Sequence, residues 1–171
     1  KKELQNCDDM EDRFYKDLEF GTGGLRGVLG AGSNRMNIYT VRQAAQGMAS
    51  YIRDEGEKAM AMGVAISYDP RHYSPEFAME TAKVLAANGI KSYVFDEMRP
   101  TPELSFAVRY LKAFAGVMIT ASHNPSKYNG FKAYGEDGAQ LAPEGTAIIT
   151  KYIRSTDIFT GVKVMDETEA K

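Results

Sequence analysis

The chain of 171 residues is poor in the side chains that staple or metallate small proteins. It has one cysteine, Cys7, so no internal disulfide can form, and this fits a reducing cytoplasm. Cys7 sits in a polar acidic segment with no fixed base or cation beside it, and it reads as an ordinary side chain rather than a reactive thiol. With two histidines and no Cys/His cluster, the sequence offers no zinc site. No D-x-D-x-D arrangement occurs, and the acidic run "CDDMED" (7–12) reads as a solvated helix face rather than a magnesium site. The longest apolar stretch, Ala113 to Ala121, is too short to span a bilayer. A net charge of −2, with both signs interspersed, predicts neither a nucleic-acid nor a membrane surface. No signal peptide is visible. Because the first residue is Lys1 rather than Met, the natural N-terminus is expected to be missing.

Two motifs are also absent. The run "GTGGLRG" (21–27) lacks the Lys-Ser or Lys-Thr of a G-x-x-x-x-G-K-[ST] phosphate loop. It misses G-x-G-x-x-G because Arg26 stands where the third glycine belongs, and no helix follows promptly.

What remains is globular: 43 % apolar and 26 % charged residues, in a length suited to one domain. Gln5 to Lys16 reads as a polar helix anchored by Phe14 and Leu18. Residues 17–34 contain six glycines and cannot form a stable helix, so they read as an extended excursion. Apolar residues at 38, 41, 44, 45, 48 and 52 form a helical stripe capped by Asn37. "GVAISYD" (63–69), "KSYVFD" (91–96) and "AGVMITA" (115–121) are strands without alternation, as in sheets buried on both faces.

Between the strands, Ser74 and Thr101 are expected to cap helices with Pro75 and Pro102 at their first positions, the first helix stopped by Asn88-Gly89. "GFKAYG" (130–135) and "GAQLA" (138–142) read as a small hairpin, the former an antiparallel edge strand. Pro143 opens a last helix to about Arg154. The expected fold class is α/β: a three-layer α/β/α sandwich with a mixed, mostly parallel sheet of about four main strands. Residues 1–155 form the domain, and 156–171 are a loose polar tail or linker.

Ligands of an open α/β sheet bind beyond the carboxyl ends of its parallel strands. "DPRHYS" (69–74), "DEMRPTP" (96–102) and "SHNPSKYNG" (122–130) fall there. The third is the richest. Ser122 can accept a phosphoryl or acyl group if activated. Neighbours on an extended chain point apart, so His123 need not be its base. Lys127 and Lys132 bring positive charge suited to a phosphate. A solvated loop turning at Asn124-Pro125 explains the same residues. In "GTGGLRG" the backbone amides and Arg26 suit an oxyanion, though a plain linker has the same composition. His72 reads as a structural turn residue, and Asp69 and Arg71 as a pair or a brace for their loop.

"TASHNPSKYNGFK" (120–132), "FGTGGLRG" (20–27) and "YDPRHYSPEFA" (68–78) together resemble the motifs of the α-D-phosphohexomutases, in the same order and at fitting spacing. The resemblance spans about residues 14–155 and is nearest the phosphoglucomutase and phosphopentomutase branch. It implies the first of four domains around one cleft, with domains II–IV of the parent chain absent here. It implies that Ser122 carries a phosphoryl group, that a sugar 1,6-bisphosphate forms and turns around, and that Mg²⁺ takes one ligand from the phosphate on Ser122. The three aspartates completing that site belong to a D-G-D-G-D-R-type loop of the second domain. Lys132 matches a lysine of proton transfer or transition-state charge. His123 and Asn124 match positions near the phosphoserine. Arg26 matches an arginine reaching the phosphate, with Thr22, Gly23 and Gly24 beside it. The isolated fragment is expected to be inactive. A serine hydrolase is the rival enzyme, but no G-x-S-x-G elbow is present. A non-catalytic sugar-phosphate-binding module is the rival from another class.

Overall fold

The computed structural model describes residues 9–21 and 23–170; Cys7 and Thr22 lie outside them. In chain order the elements are α1 (Met10–Phe14), β1 (Phe20–Gly21), β2 (Gly24–Val28), α2 (Ile38–Asp54), α3 (Glu57–Met62), β3 (Val64–Tyr68), α4 (Ser74–Ala87), β4 (Ser92–Val94), α5 (Thr101–Leu111), β5 (Ala115–Ile119), β6 (Tyr128–Tyr134), α6 (Pro143–Ser155) and α7 (Glu167–Ala170). One six-stranded sheet runs β1-β2-β6-β5-β3-β4.

Strand alternation builds the layers. Val64, Ile66, Val117 and Ile119 face a large core shared with α2, α4 and α6. Ala65 and Met118 face the opposite side, where Leu104 and Val108 of α5 cover them. The α/β/α sandwich and the mixed sheet therefore hold. The sheet has six strands rather than about four. Its β1–β2, β2–β6 and β5–β6 pairings are antiparallel, and only β3–β4 and β3–β5 are parallel. "Mostly parallel" thus describes one half of the sheet.

The cause is the glycine-rich run. Expected as an open excursion, it enters the sheet as β1 and β2. Gly24 pairs with Lys132 and Arg26 with Gly130 across β2 and β6. A Cβ on Gly24 would lie 2.2 Å from the Phe131 carbonyl oxygen, so only glycine allows this approach. In consequence β6 is interior, flanked by β2 and β5, not the expected edge strand. The second arm of the expected hairpin contributes only a single bridge, Tyr134 to Gln140.

Helix starts divide in two. Asn37 caps α2 as expected: its side chain accepts from the amides of Tyr39 and Thr40, and Thr40 Oγ1 accepts from the Asn37 amide. Ser74 and Thr101 do not cap. They are the first residues of their helices, after Tyr73 and Pro100. The fully buried Ser74 instead spends its hydroxyl on Asp69 and Asn129. Helix α3 was not foreseen, because its six residues bury only Ala59 and leave no periodic stripe to read. The core carries the stability: Leu85 and Leu104 are fully buried, and truncating either to Ala would cost roughly 2–5 kcal/mol.

Both chain ends depart from expectation. Within the acidic run, Asp9 and Asp12 are not merely solvated; they pair with the buried Arg35 guanidinium. Phe14 is 48 % exposed and anchors little, whereas Leu18 packs on the core. The tail is docked rather than loose. Gln43 donates to the Thr156 carbonyl, Gln46 accepts from the Lys163 amide, and Met165 donates to the Lys83 carbonyl. These are backbone contacts, which a polar sequence does not announce.

Candidate active site

Strand β5 ends at Ile119, and the chain returns as β6 from Tyr128. The loop between them projects Ser122 and His123 into solvent. Ser122 has φ 55°, the left-handed region. For a residue with a Cβ this costs about 1–2 kcal/mol and persists only where neighbours impose it.

The neighbours are specific. The Ser122 amide donates to Thr120 Oγ1 at 2.9 Å, and Thr120 Oγ1 donates to Asp69 Oδ2 at 2.7 Å. On the other side of the residue, Arg71 donates to the Ser122 carbonyl at 2.9 Å. Asp69 also accepts from the Arg71 amide and from Ser74 Oγ, both at 3.0 Å. Asn129, fully buried on β6, donates to the His72 carbonyl and to Ser74 Oγ and accepts from the Gly130 amide. Thus "DPRHYS", which follows the first long parallel strand, forms the floor under the serine loop. His72 takes part through its carbonyl, in keeping with a structural reading.

Lys132 meets Ser122 from the sheet. Its Nζ donates to Ser122 Oγ at 2.6 Å. Burial pushes the Lys132 amine below the ordinary lysine value, and the adjacent Arg26 guanidinium pushes it the same way. Arg26, exposed on β2, donates to Asn124 Oδ1 at 3.0 Å and so bridges the glycine-rich strand to the serine loop. An open cleft of about 520 Å³ continues from here, lined by Lys16, Glu19, Gly21, Gly24, Arg26, Asn34 and Lys132 among others. Three cations against one carboxylate make it a place for an anion.

The sequence-derived residues therefore divide. Ser122, Lys132, Arg26 and Asn124 come together by direct contact. His123 lies next to them on the exposed loop. Gly24 lines the cleft, but its evident task is the close β2–β6 approach. The Gly23 amide donates to Thr146 Oγ1, so it is already engaged inside the fold. Lys127 sits over the Tyr128 ring. Thr22 lies outside the described residues. Sequence reasoning missed Thr120, Asn129, Lys16 and Asn34. Thr120 and Asn129 lie inside the serine motif and could have been weighed there. Lys16 and Asn34 carry no local signal, since folding alone brings them to the cleft. Among the described residues, no three His, Cys, Asp or Glu side chains gather as a metal site. No helix among those residues is long and apolar enough to cross a membrane.

Comparison with known proteins adds an independent line. Residues 17–158 match the family model described as phosphoglucomutase/phosphomannomutase, alpha/beta/alpha domain I. The chain is 50 % identical over 149 residues to a phosphoglucomutase of Staphylococcus epidermidis, covering 87 % of this chain and 27 % of that protein. It is 45 % identical over 155 residues to a phosphoglucomutase of Staphylococcus saprophyticus, covering 91 % of this chain and 28 % of that one. Among solved structures, a Thermus thermophilus protein assigned as a phosphomannomutase superposes with a TM-score of 0.73 at 34 % identity, over 81 % of this chain and 30 % of its own. The chain thus spans little more than a quarter of the length of these curated relatives.

Proposed function

Given that this chain belongs to the phosphoglucomutase/phosphomannomutase family, we propose that it is the phosphoserine-bearing domain of a phosphohexomutase. The parent enzyme interconverts sugar 1-phosphate and sugar 6-phosphate through a 1,6-bisphosphate. Glucose phosphate is the favoured substrate, since the relatives named above are phosphoglucomutases; pentose and mannose phosphates are the alternatives. The observation that carries the reading is the 2.6 Å contact between Lys132 Nζ and Ser122 Oγ.

Phosphoryl transfer needs positioning and charge neutralisation more than covalent ingenuity. A sugar hydroxyl oxygen attacks phosphorus as the bond from phosphorus to Ser122 Oγ breaks. Lys132 stands within reach of the leaving oxygen and can give it a proton, and the proton released by the attacking sugar hydroxyl restores the ammonium, so none is gained or lost. In the return step the bisphosphate loses its other phosphoryl group to Ser122 Oγ; the lowered pKa of Lys132 favours the neutral amine, which can take the serine proton, and the departing sugar oxygen regains a proton in exchange. Arg26 holds Asn124 with one amino group and has further donors for a phosphate oxygen.

Mg²⁺ fits this chain as one arm of a shared site only. Asp69, the carboxylate nearest the loop, is spent on Arg71, Ser74 and Thr120. Ser122, through its phosphate, is the remaining oxygen donor at the loop tip. When bound, the ion supplies positive charge to phosphate oxygens. The other ligands, the sugar contacts and the exclusion of water belong to domains II–IV of the parent, which we place in the cytoplasm.

The test uses the intact parent chain. After incubation with glucose 1,6-bisphosphate and magnesium, the peptide containing Ser122 is examined by mass spectrometry. A phosphate on Ser122 is expected, and if it is isotopically labelled its label should pass into the hexose phosphates on addition of glucose 1-phosphate while the serine stays phosphorylated; an unmodified serine in a turning-over enzyme overturns the reading. Residues 1–171 alone should show no turnover, and robust magnesium-dependent conversion by them would refute the shared-cleft account.

A further inference from the structure

Arg71 spends both terminal nitrogens of its guanidinium on the serine loop. One terminal nitrogen donates to the carbonyls of Ser122 at 2.9 Å and Asn124 at 2.7 Å. The other donates to the carbonyls of Pro125 and Tyr128, both at 3.0 Å. Its Nε pairs with Asp69 Oδ2 at 3.2 Å. A guanidinium has five N–H donors in a rigid fork, and the four on its terminal nitrogens all go to these carbonyls, while Nε pairs with the carboxylate. The side chain is only 13 % exposed, so the fork is held rather than mobile.

Two chains of bonds converge on the same residue. Asp69 reaches the Ser122 amide through Thr120, and reaches the Ser122 carbonyl through Arg71. Both peptide groups flanking the Ser122 Cα are thus fixed from one carboxylate. That is what sustains φ 55° at a residue bearing a side chain. The φ value in turn decides where Oγ points, and hence its contact with Lys132.

We propose that Arg71 is the positioning residue of the serine loop. It imposes the left-handed conformation that presents Ser122 Oγ to Lys132 and to an incoming phosphoryl group, without itself touching the substrate. The proposal rests on the reading of Ser122 as phosphoryl carrier, and its tests separate the two. Lysine keeps the charge but is a point donor with three protons, so it cannot span four carbonyls and a carboxylate.

In the intact parent enzyme, Arg71→Lys should lower kcat by roughly a hundredfold, the scale of a 1 Å misplacement of a reacting group. KM for the sugar phosphate should stay within about twofold, because uniform substrate binding is untouched. Amide hydrogen exchange should rise in the peptide covering 120–128 and stay unchanged in α2 and α4. Thr120→Val removes the other restraint on Ser122 by an independent route. It should give the same pattern, which guards against a folding defect peculiar to Arg71→Lys.

A folded Arg71→Lys enzyme with wild-type kcat overturns the proposal, as does a change confined to KM. If wild-type protein never becomes phosphorylated on Ser122, the carrier reading fails instead; the exchange result still tests whether Arg71 holds the loop.

Discussion

Lys132 Nζ, on β6, and Ser122 Oγ, in the loop between β5 and β6, lie 2.6 Å apart. Lys132 is pinned on both sides: its backbone pairs with Gly24 of β2 and with Met118 of β5. Replacing it with methionine keeps most of the stem and removes the only donor found on Ser122 Oγ among the described residues. In the intact parent enzyme Lys132→Met should lower kcat by about a hundredfold or more, the ~3 kcal/mol typical of losing one such donor. Steady-state kinetics check this, and unaltered kcat would remove Lys132 from the mechanism.

The Lys132 amine should titrate below an ordinary lysine, for the reasons of burial and the Arg26 charge. The sign follows from proton counting. In the window between the folded and unfolded values the unfolded chain binds more protons, so this residue makes stability rise with pH there. Below the folded value the burden of the partly buried ammonium is fully present. Competitive acetylation across pH, read by mass spectrometry, should place the Lys132 midpoint below that of N-acetyl-lysine amide. A dianionic phosphate on Ser122 should move the midpoint upward. A midpoint at or above the reference amine contradicts the expectation.

Two glycine substitutions should act in opposite directions. Gly24→Ala drives a Cβ to 2.2 Å from the Phe131 oxygen and 2.9 Å from the Lys132 Cα, so β2 must part from β6 where Lys132 is rooted. A loss of about 1–3 kcal/mol is expected, the usual scale of overpacking. Gly145→Ala, in α6, meets only Leu141 at 3.4 Å. It should raise stability by up to about 1 kcal/mol through helix propensity. Urea unfolding of the two variants beside wild type settles both signs.

Lys16 lines the cleft with Arg26 and Lys132 and should contribute to anion affinity. Lys16→Gln should weaken binding of glucose 1,6-bisphosphate to the parent enzyme about three- to tenfold, in line with an exposed charge of modest worth. The difference should shrink as salt is raised. Isothermal titration at two ionic strengths measures it, and equal affinities would leave Lys16 without a role there.

Much of the fold was legible because local physics decides it. The stripe from 38 to 52 and the Asn37 side chain specify α2 before any partner exists. The unalternating runs at β3 and β5 announce burial on both faces. Ser74 misled for an equally physical reason. A serine before a proline is a good cap in isolation, yet Asp69 and Asn129 compete for its hydroxyl, and that competition exists only in the folded chain. The strand register of the glycine-rich run was hidden too, since glycine has no side chain with which to declare a face.

By itself the sequence determined the chemistry available: a serine with a hydroxyl open to acylation or phosphorylation, a lysine ten residues on, and an arginine among glycines. Those are properties of residue types and short spacings. Only the tertiary structure decided that Lys132, and not the adjacent His123, meets the Ser122 hydroxyl. It also decided that Arg71 and Thr120, from the ends of two different strands, hold that serine in the left-handed region. Contacts across fifty residues depend on how strands pair and where their loops converge, and no local pattern encodes that convergence.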